Sequence, residues 1–215
     1  MHRMDSGSQH HFIKPVDLIS KIPPTIKGLI FDLDGTLADT MPSHIEAWVR
    51  TGRHYGVEIT ADMVNALAGA PSMEVISIFN KQFGWTIDPG EGKKMKSDLY
   101  LALLDQLECI EPIREVYELV NHFKGILPMA IGTGSSKSNA ERVIRSLGLE
   151  DVITIVVSAD DVVYPKPHPE TFLTCALRLN VNPKDCLVFE DGPMGIQAAV
   201  AAGMRVLILP QYEII

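Results

Sequence analysis

A chain of 215 residues suits one large or two small domains, and 46% hydrophobic with 21% charged residues is enough apolar material for a sizeable core. A formal net charge of −8 argues against nucleic acid as a main partner, since phosphate backbones need clustered Lys and Arg. No run approaches the roughly 18 apolar residues of a membrane span, and the opening MHRMDSGSQHH lacks an apolar signal-peptide core, so no membrane partner and a cytoplasmic location are expected.

Residues 1–24 are polar at first and end in Pro23-Pro24, which reads as a peripheral tail, partly disordered up to about His11. IKGLIF (26–31) is a short apolar run ending in DLDGT, a buried strand running into a tight loop. Helical periodicity then takes over. SHIEAWVRTGRHYG opens with a capping box, Ser43 to Glu46, and closes at Gly56; ADMVNALAG, SMEVISIFNKQFG and GKKMKSDLYLALLDQL follow. A helix over 113–123 leads to four more strand-like runs: ILPMAIG (126–132), VITIVVS (152–158), CLVFE (186–190) and RVLIL (205–209). Helices separate them: SKSNAERVIRSLG with a capping box from Ser138 to Glu141, HPETFLTCALRLN with Pro169 near its first turn, and GPMGIQAAVAAG ending at Gly203. Alternating strands and helices predict an α/β fold with a doubly wound parallel sheet. The expected division is a tail (1–24), an α/β core (25–40 and 108–215) and an inserted all-helical cap (41–107), with hinges at the two crossings.

Four signals fall at carboxyl ends of predicted strands, where open parallel sheets bind ligands. In Asp32-Leu33-Asp34-Gly35-Thr36, strand alternation places both carboxylates on one side; Asp32 suits a nucleophile and Asp34 a general acid/base, although an Asp-Gly turn is common in itself. Gly132-Thr133-Gly134-Ser135 offers a hydroxyl and backbone N–H groups for phosphate oxygens, or simply closes a βα turn. Lys166, stiffened by Pro165 and Pro167, can balance carboxylates, or be a solvated loop lysine. Glu190-Asp191-Gly192 suits a hard cation, or a turn with a helix cap. Their order is the informative feature. Four acids drawn together would repel without a cation such as Mg²⁺, which would also bind phosphate.

FDLDGT, the Thr133 loop, Lys166 and FEDGPMGI resemble the four motifs of the haloacid dehalogenase superfamily, over roughly residues 26–209. The helical insert resembles the small cap of the β-phosphoglucomutase-like branch. MAIGTGS, KPHPETFLTCALRL and FEDGPMGIQAA are similar to bacterial sugar-phosphate phosphatases acting on fructose 1-phosphate and related substrates. The resemblance implies that Asp32 is nucleophile and metal ligand, and Asp34 general acid/base with its backbone carbonyl on the metal. It implies that Thr133 and Lys166 hold the phosphoryl group, that Asp191 ligates Mg²⁺, and that Glu190 does so directly or through water. His44 is expected either to face the active site from the first cap helix or to be an exposed helix-start residue.

Among the remaining residues, Cys109, Cys175 and Cys186 read as small buried hydrophobes. Trp48, Met63, Met73 and Met95 read as packing residues, and Lys93, Lys94, Lys96 and Lys137 as solvated. A small phosphorylated metabolite is the expected partner, and a monomer or weak homo-oligomer the expected state. A phosphohexose mutase is the alternative activity. A receiver-type phospho-accepting module is disfavoured, because receivers lack a cap and do not carry DxD on the first strand.

Overall fold

The computed structural model describes residues 15–215; the disorder expected up to about His11 lies outside them. Its sheet runs in the order β3-β2-β1-β4-β5-β6. The strands are β1 (Gly28–Phe31), β2 (Met129–Gly132), β3 (Ile155–Val157), β4 (Cys186–Glu190), β5 (Arg205–Ile208) and β6 (Glu213–Ile214). β1 pairs in parallel with β2 on one side and β4 on the other, so Leu29 stands opposite both Met129 and Leu187. Strand order therefore reverses at β1, which opens a crevice at the carboxyl ends of β1 and β4.

Alternation along each strand sorts side chains to two layers. Leu29 and Phe31 pack with α1 (Pro15–Ser20), α6 (Arg114–Phe123) and α7 (Lys137–Ser146). Ile30 packs with α8 (Glu170–Leu179) and α9 (Pro193–Ala201). Burial on both faces explains why these strands appear in the sequence as continuous apolar runs. Between β1 and α6 lie α2 (Met41–His54), α3 (Ala61–Asn65), α4 (Ser72–Phe83) and α5 (Pro89–Leu104). They carry no strand and gather an apolar cluster of their own from Trp48, Ile59, Val64, Val75, Ile76, Phe79 and Ile87.

Several expectations need correction. The segment before β1 is not simply peripheral: Leu18 is fully buried in the core, and the Lys21 ammonium donates to the Tyr212 carbonyl at 2.9 Å. The doubly wound parallel sheet forms as expected from β1 to β5, and β6 adds an antiparallel edge on β5; a two-residue strand has no periodicity to read. Neither expected capping box forms. α2 and α7 start before Ser43 and Ser138, which fall inside the first turns. Thr40, at the α2 N-cap, instead donates its hydroxyl to Asp34 at 2.6 Å.

Removing Leu18 tests whether α1 belongs to the core. Leu18→Ala should cost about 3 kcal/mol, as large-to-small core changes do, and lower Tm by about 6–12 °C for a chain of this size. A thermal scan showing no shift would return α1 to the periphery.

Candidate active site

The hydrogen-bond ladders run one residue past the strands and fix the motif residues. The Asp32 N–H donates to the Phe189 carbonyl, and the Thr133 N–H to the Val157 carbonyl, both at 2.9 Å. Glu190 closes β4. Lys166 reaches in from the loop ahead of α8. It is fully buried, and its ammonium donates to Asp32 Oδ1 and to Glu190 Oε2, each at 2.7 Å. The same nitrogen lies 4.6 Å from the centre of the Phe172 ring. The solvated-lysine reading of Lys166 is thereby excluded.

Asp32, Glu190 and Asp191 can bring one oxygen each within 4.8 Å of one another. Three carboxylates thus share one site with a single ammonium, which pairs with Asp32 and Glu190 only, where unpaired charge is costly. Burial, and then the charge of Glu190, push Asp32 above the usual carboxylate range against the pull of Lys166. Burial followed by the charge of Asp32 pushes Asp191 up to about 7. Burial on its own would lower Lys166, but Asp32 and Glu190 hold it above its ordinary value. Excess negative charge on hard oxygen donors fits a divalent cation of the Mg²⁺ type. Lys166 takes only one oxygen of Asp32, while Asp191 is oriented by the Thr36 hydroxyl at 2.8 Å. Glu190 is more fully committed: its Oε1 accepts the Gly192 N–H at 2.9 Å while Oε2 holds Lys166. A water-mediated place for Glu190 fits this better than direct ligation.

Asp34 does not join this cluster through its side chain. Its Oδ1 accepts from the Thr40 hydroxyl at 2.6 Å and the Tyr100 hydroxyl at 3.1 Å, and its Oδ2 from the Ser135 hydroxyl at 2.6 Å. His44 is buried, stacked 4.0 Å from Tyr100, with Nε2 at 3.1 Å from Asp34 Oδ1 in a contact short of an aligned hydrogen bond. On its other side the Lys96 ammonium contacts Nδ1. A charged Lys96 can only donate in this contact, and it then competes with a proton for Nδ1. Burial and then the charge of Lys96 also lower His44. Burial alone would raise Asp34, but the charge that His44 carries when protonated, followed by the hydroxyls of Ser135 and Thr40, holds it well below the usual range. Burial brings Lys96 itself down to about 8.

The helices α2–α5 lie close over this centre. The Ala68 carbonyl accepts the Met194 N–H at 3.3 Å. A Cβ on Gly134 would come within 2.3 Å of the Gly69 carbonyl oxygen, so only glycine permits the approach. A cavity of about 280 Å³ remains, touched by Asp32, Asp34, Trp48, Lys96, Thr133 and Ser135. Ser135 also donates its N–H to Thr133 Oγ1 at 3.0 Å, so the GTGS turn is partly closed on itself.

All the motif residues anticipated from sequence line or adjoin this crevice, and His44 faces it. Lys96 was misread as solvated. It is buried over the rings of Trp48 and Tyr100, at 5.7 and 4.9 Å. A signal existed: Gly92, Lys96, Tyr100 and Leu104 recur every four residues and form the buried stripe of α5. Lys93 is also not simply solvated, lying 3.6 Å from Asp160. Met73 and Cys109 are exposed rather than packed.

The model of the haloacid dehalogenase-like hydrolases matches residues 26–203. The chain belongs to this family. Among hydrolases of this kind it is 41% identical to the fructose-1-phosphate phosphatase YqaB of Escherichia coli, over 82% of this chain and 93% of that one. It is 32% identical to a phosphorylated carbohydrates phosphatase of Thermotoga maritima, over 84% and 83% of the two chains. The solved structure of a β-phosphoglucomutase from Clostridium difficile superposes with a TM-score of 0.72 at 30% identity, covering 84% and 83%. As a haloacid dehalogenase-like hydrolase the chain has an α/β core of this family's kind.

The raised carboxylates set a sign for pH dependence. A carboxylate whose pKa is higher folded than unfolded keeps its proton longer in the native state, so stability falls as pH rises between the two values. With Asp191 moved from 3.8 to about 7, metal-free protein should lose stability between those pH values. Mg²⁺ binds only deprotonated carboxylates, so it should raise Tm more at pH 7.5 than at pH 5. Denaturation in EDTA and in Mg²⁺ checks this; a metal-independent Tm at both pH values would rule out the cation site.

Proposed function

We propose that the chain is a Mg²⁺-dependent phosphatase of small phosphorylated sugars, working through an aspartyl-phosphate on Asp32. The observation that carries this reading is the separation of Asp32 and Asp34 into different electrostatic surroundings. Asp32 sits in the Lys166 clamp beside Asp191, whereas Asp34 is held by Thr40, Tyr100 and Ser135. Two carboxylates whose environments drive their protonation apart are suited to different roles. Mg²⁺ would be held by Asp32, Asp191 and the Asp34 backbone carbonyl, with Glu190 behind, and when bound it would supply positive charge to the carboxylates and the phosphoryl oxygens.

In the first step an Asp32 oxygen attacks phosphorus, the bond to the sugar oxygen breaks, and Asp34 gives that oxygen a proton. In the second, Asp34 takes a proton from water, the hydroxide attacks phosphorus, and the Asp32 carboxylate is released with inorganic phosphate. The observed hydrogen bonds stabilise ionised Asp34, the form needed for the second step. Protonating the leaving oxygen requires Asp34 to leave these donors and take up a proton. Thr133, the Gly134 N–H, Ser135 and Lys166 would hold the phosphoryl oxygens during the exchange. His44 and Lys96 belong to α2 and α5, so the position of the cap over the core bears on the state of Asp34.

The second reading, a phosphohexose mutase, is favoured by the β-phosphoglucomutase likeness. A mutase must retain a bisphosphate, whose distal phosphate needs Arg or Lys partners. In the β-phosphoglucomutases that the insert resembles, the second cap helix begins with a Lys-Gly pair followed shortly by an Arg; Ala68 and Ser72 stand at the Lys and Arg places here. Of the lysines on the cleft, Lys93 is paired with Asp160 and Lys96 with His44. These features support hydrolysis. No helix among the described residues is long and apolar enough to cross a membrane.

Asp32→Asn should lower phosphate release at least about 10³-fold, since loss of a covalent nucleophile removes most of the catalysis; circular dichroism should be unchanged. Retention of more than a few per cent of activity would exclude Asp32 as the nucleophile. Given β-glucose 1-phosphate with a trace of the 1,6-bisphosphate, the enzyme should form free phosphate faster than glucose 6-phosphate. The reverse order would establish the mutase.

A further inference from the structure

The cavity that Asp32 and Thr133 line is apolar over much of its wall. Leu67, Pro71 and Met73 line it from the cap, and Val162 and Val163 from the loop ahead of α8. Two of these side chains are left in solvent: Met73 is 47% exposed and Val163 77%. A lone apolar side chain on a surface needs no explanation, but exposed apolar groups that gather on one cleft belong with a ligand. Val163 is also held where it is. Its N–H and that of Tyr164 donate to the two oxygens of the Glu170 carboxylate at 3.0 and 2.9 Å, and Pro165 stiffens the chain that follows. The loop is thus pinned with an isopropyl group in water. On α4, Val75 and Ile76 enter the apolar cluster of the cap while Met73 stays outside it, offering a flexible side chain that adapts to the shape of what it touches. Both lysines on the cavity are engaged, Lys93 with Asp160 and Lys96 with His44, so an anionic leaving group meets no free lysine there.

We propose that Met73 and Val163 form an apolar clasp for the leaving group, and that the favoured substrates are phosphate monoesters whose alcohol carries an apolar portion of several carbons, a sugar with an alkyl or aryl substituent among them. This rests on the phosphatase reading and deepens it by naming the substrate class. Continuity ties the clasp to the chemistry: a monoester with its phosphorus at Asp32 has its alcohol in the same cavity that Met73 and Val163 line. Contact with the two side chains takes apolar surface of the alcohol and of the protein out of water together.

The test measures kcat/KM for propyl, butyl and hexyl phosphate, with fructose 1-phosphate alongside. The three leaving alcohols have nearly the same acidity, so a trend along the series reports contact rather than bond cleavage. In wild type kcat/KM should rise about tenfold from propyl to hexyl phosphate, the size expected when about two methylenes are buried, chiefly through a lower KM. The double variant Met73→Ser/Val163→Ser should flatten the series to within about twofold, and Met73→Leu/Val163→Ile should restore the slope. Circular dichroism and Tm establish that both variants fold. A flat series in wild type, no release from the alkyl phosphates, or a slope that survives the serine variant would overturn the clasp while fructose 1-phosphate turnover keeps the phosphatase reading in place. Wild-type protein that releases phosphate from none of the four would instead overturn the phosphatase reading itself.

Discussion

The buried ammonium of Lys166 is the constraint on which the rest of the site depends. It joins β1 through Asp32, β4 through Glu190 and the loop before α8 into one unit from which water is excluded. A lysine in so dry a place is tolerable only if carboxylates meet it with good geometry. Those carboxylates are tolerable in turn only because it is there. The arrangement extends outward: a Cβ on Gly195 would come within 1.9 Å of Glu190 Oε2, so the start of α9 must carry glycine if Glu190 is to hold the lysine. The motif residues are thus interdependent, and their positions on separate strand ends follow from where the sheet can bring charge together.

One ammonium does not balance three carboxylates. The imbalance left at Asp32 and Asp191 is the physical basis for the proposed cation, and it also explains why Asp34 is kept apart. Although only one residue separates Asp32 from Asp34, the second carboxylate is held by Thr40, Tyr100 and Ser135, just before the chain turns at Gly35, where φ is +89°. Had both faced the Lys166 clamp, a fourth negative charge would have joined the same buried volume. On the proposed roles, the same separation that relieves electrostatic crowding also divides the labour between the two aspartates.

The network around Asp34 is built from both parts of the chain. Ser135 comes from the core, Tyr100, His44 and Lys96 from the helices that cover it. On the proposed roles, this gives the acid/base residue a dependence on cap position that no single element could impose. The small residues of the 67–71 loop serve the same closeness, since Ala68 and Gly69 bring their carbonyls against Gly192 and Gly134.

The sequence by itself determined the alternation of elements, the location of the crevice and the family-defining charges. Apolar runs of strand length and DxD, Lys and ED at their ends are local patterns, and backbone geometry converts local pattern into strand, turn and strand end. It did not reveal that α1 is anchored by Leu18, because a six-residue helix is too short to carry a readable period. Nor did it reveal β6, whose pairing is decided by a chain reversal after β5. Lys96 was misjudged for a different reason: a charged residue on a helix looks solvated unless its partners are known, and His44, the partner of Lys96, lies on another helix. Only the tertiary structure decided which charges are paired and which are left unpaired, because pairing depends on distances across the fold that sequence spacing does not encode.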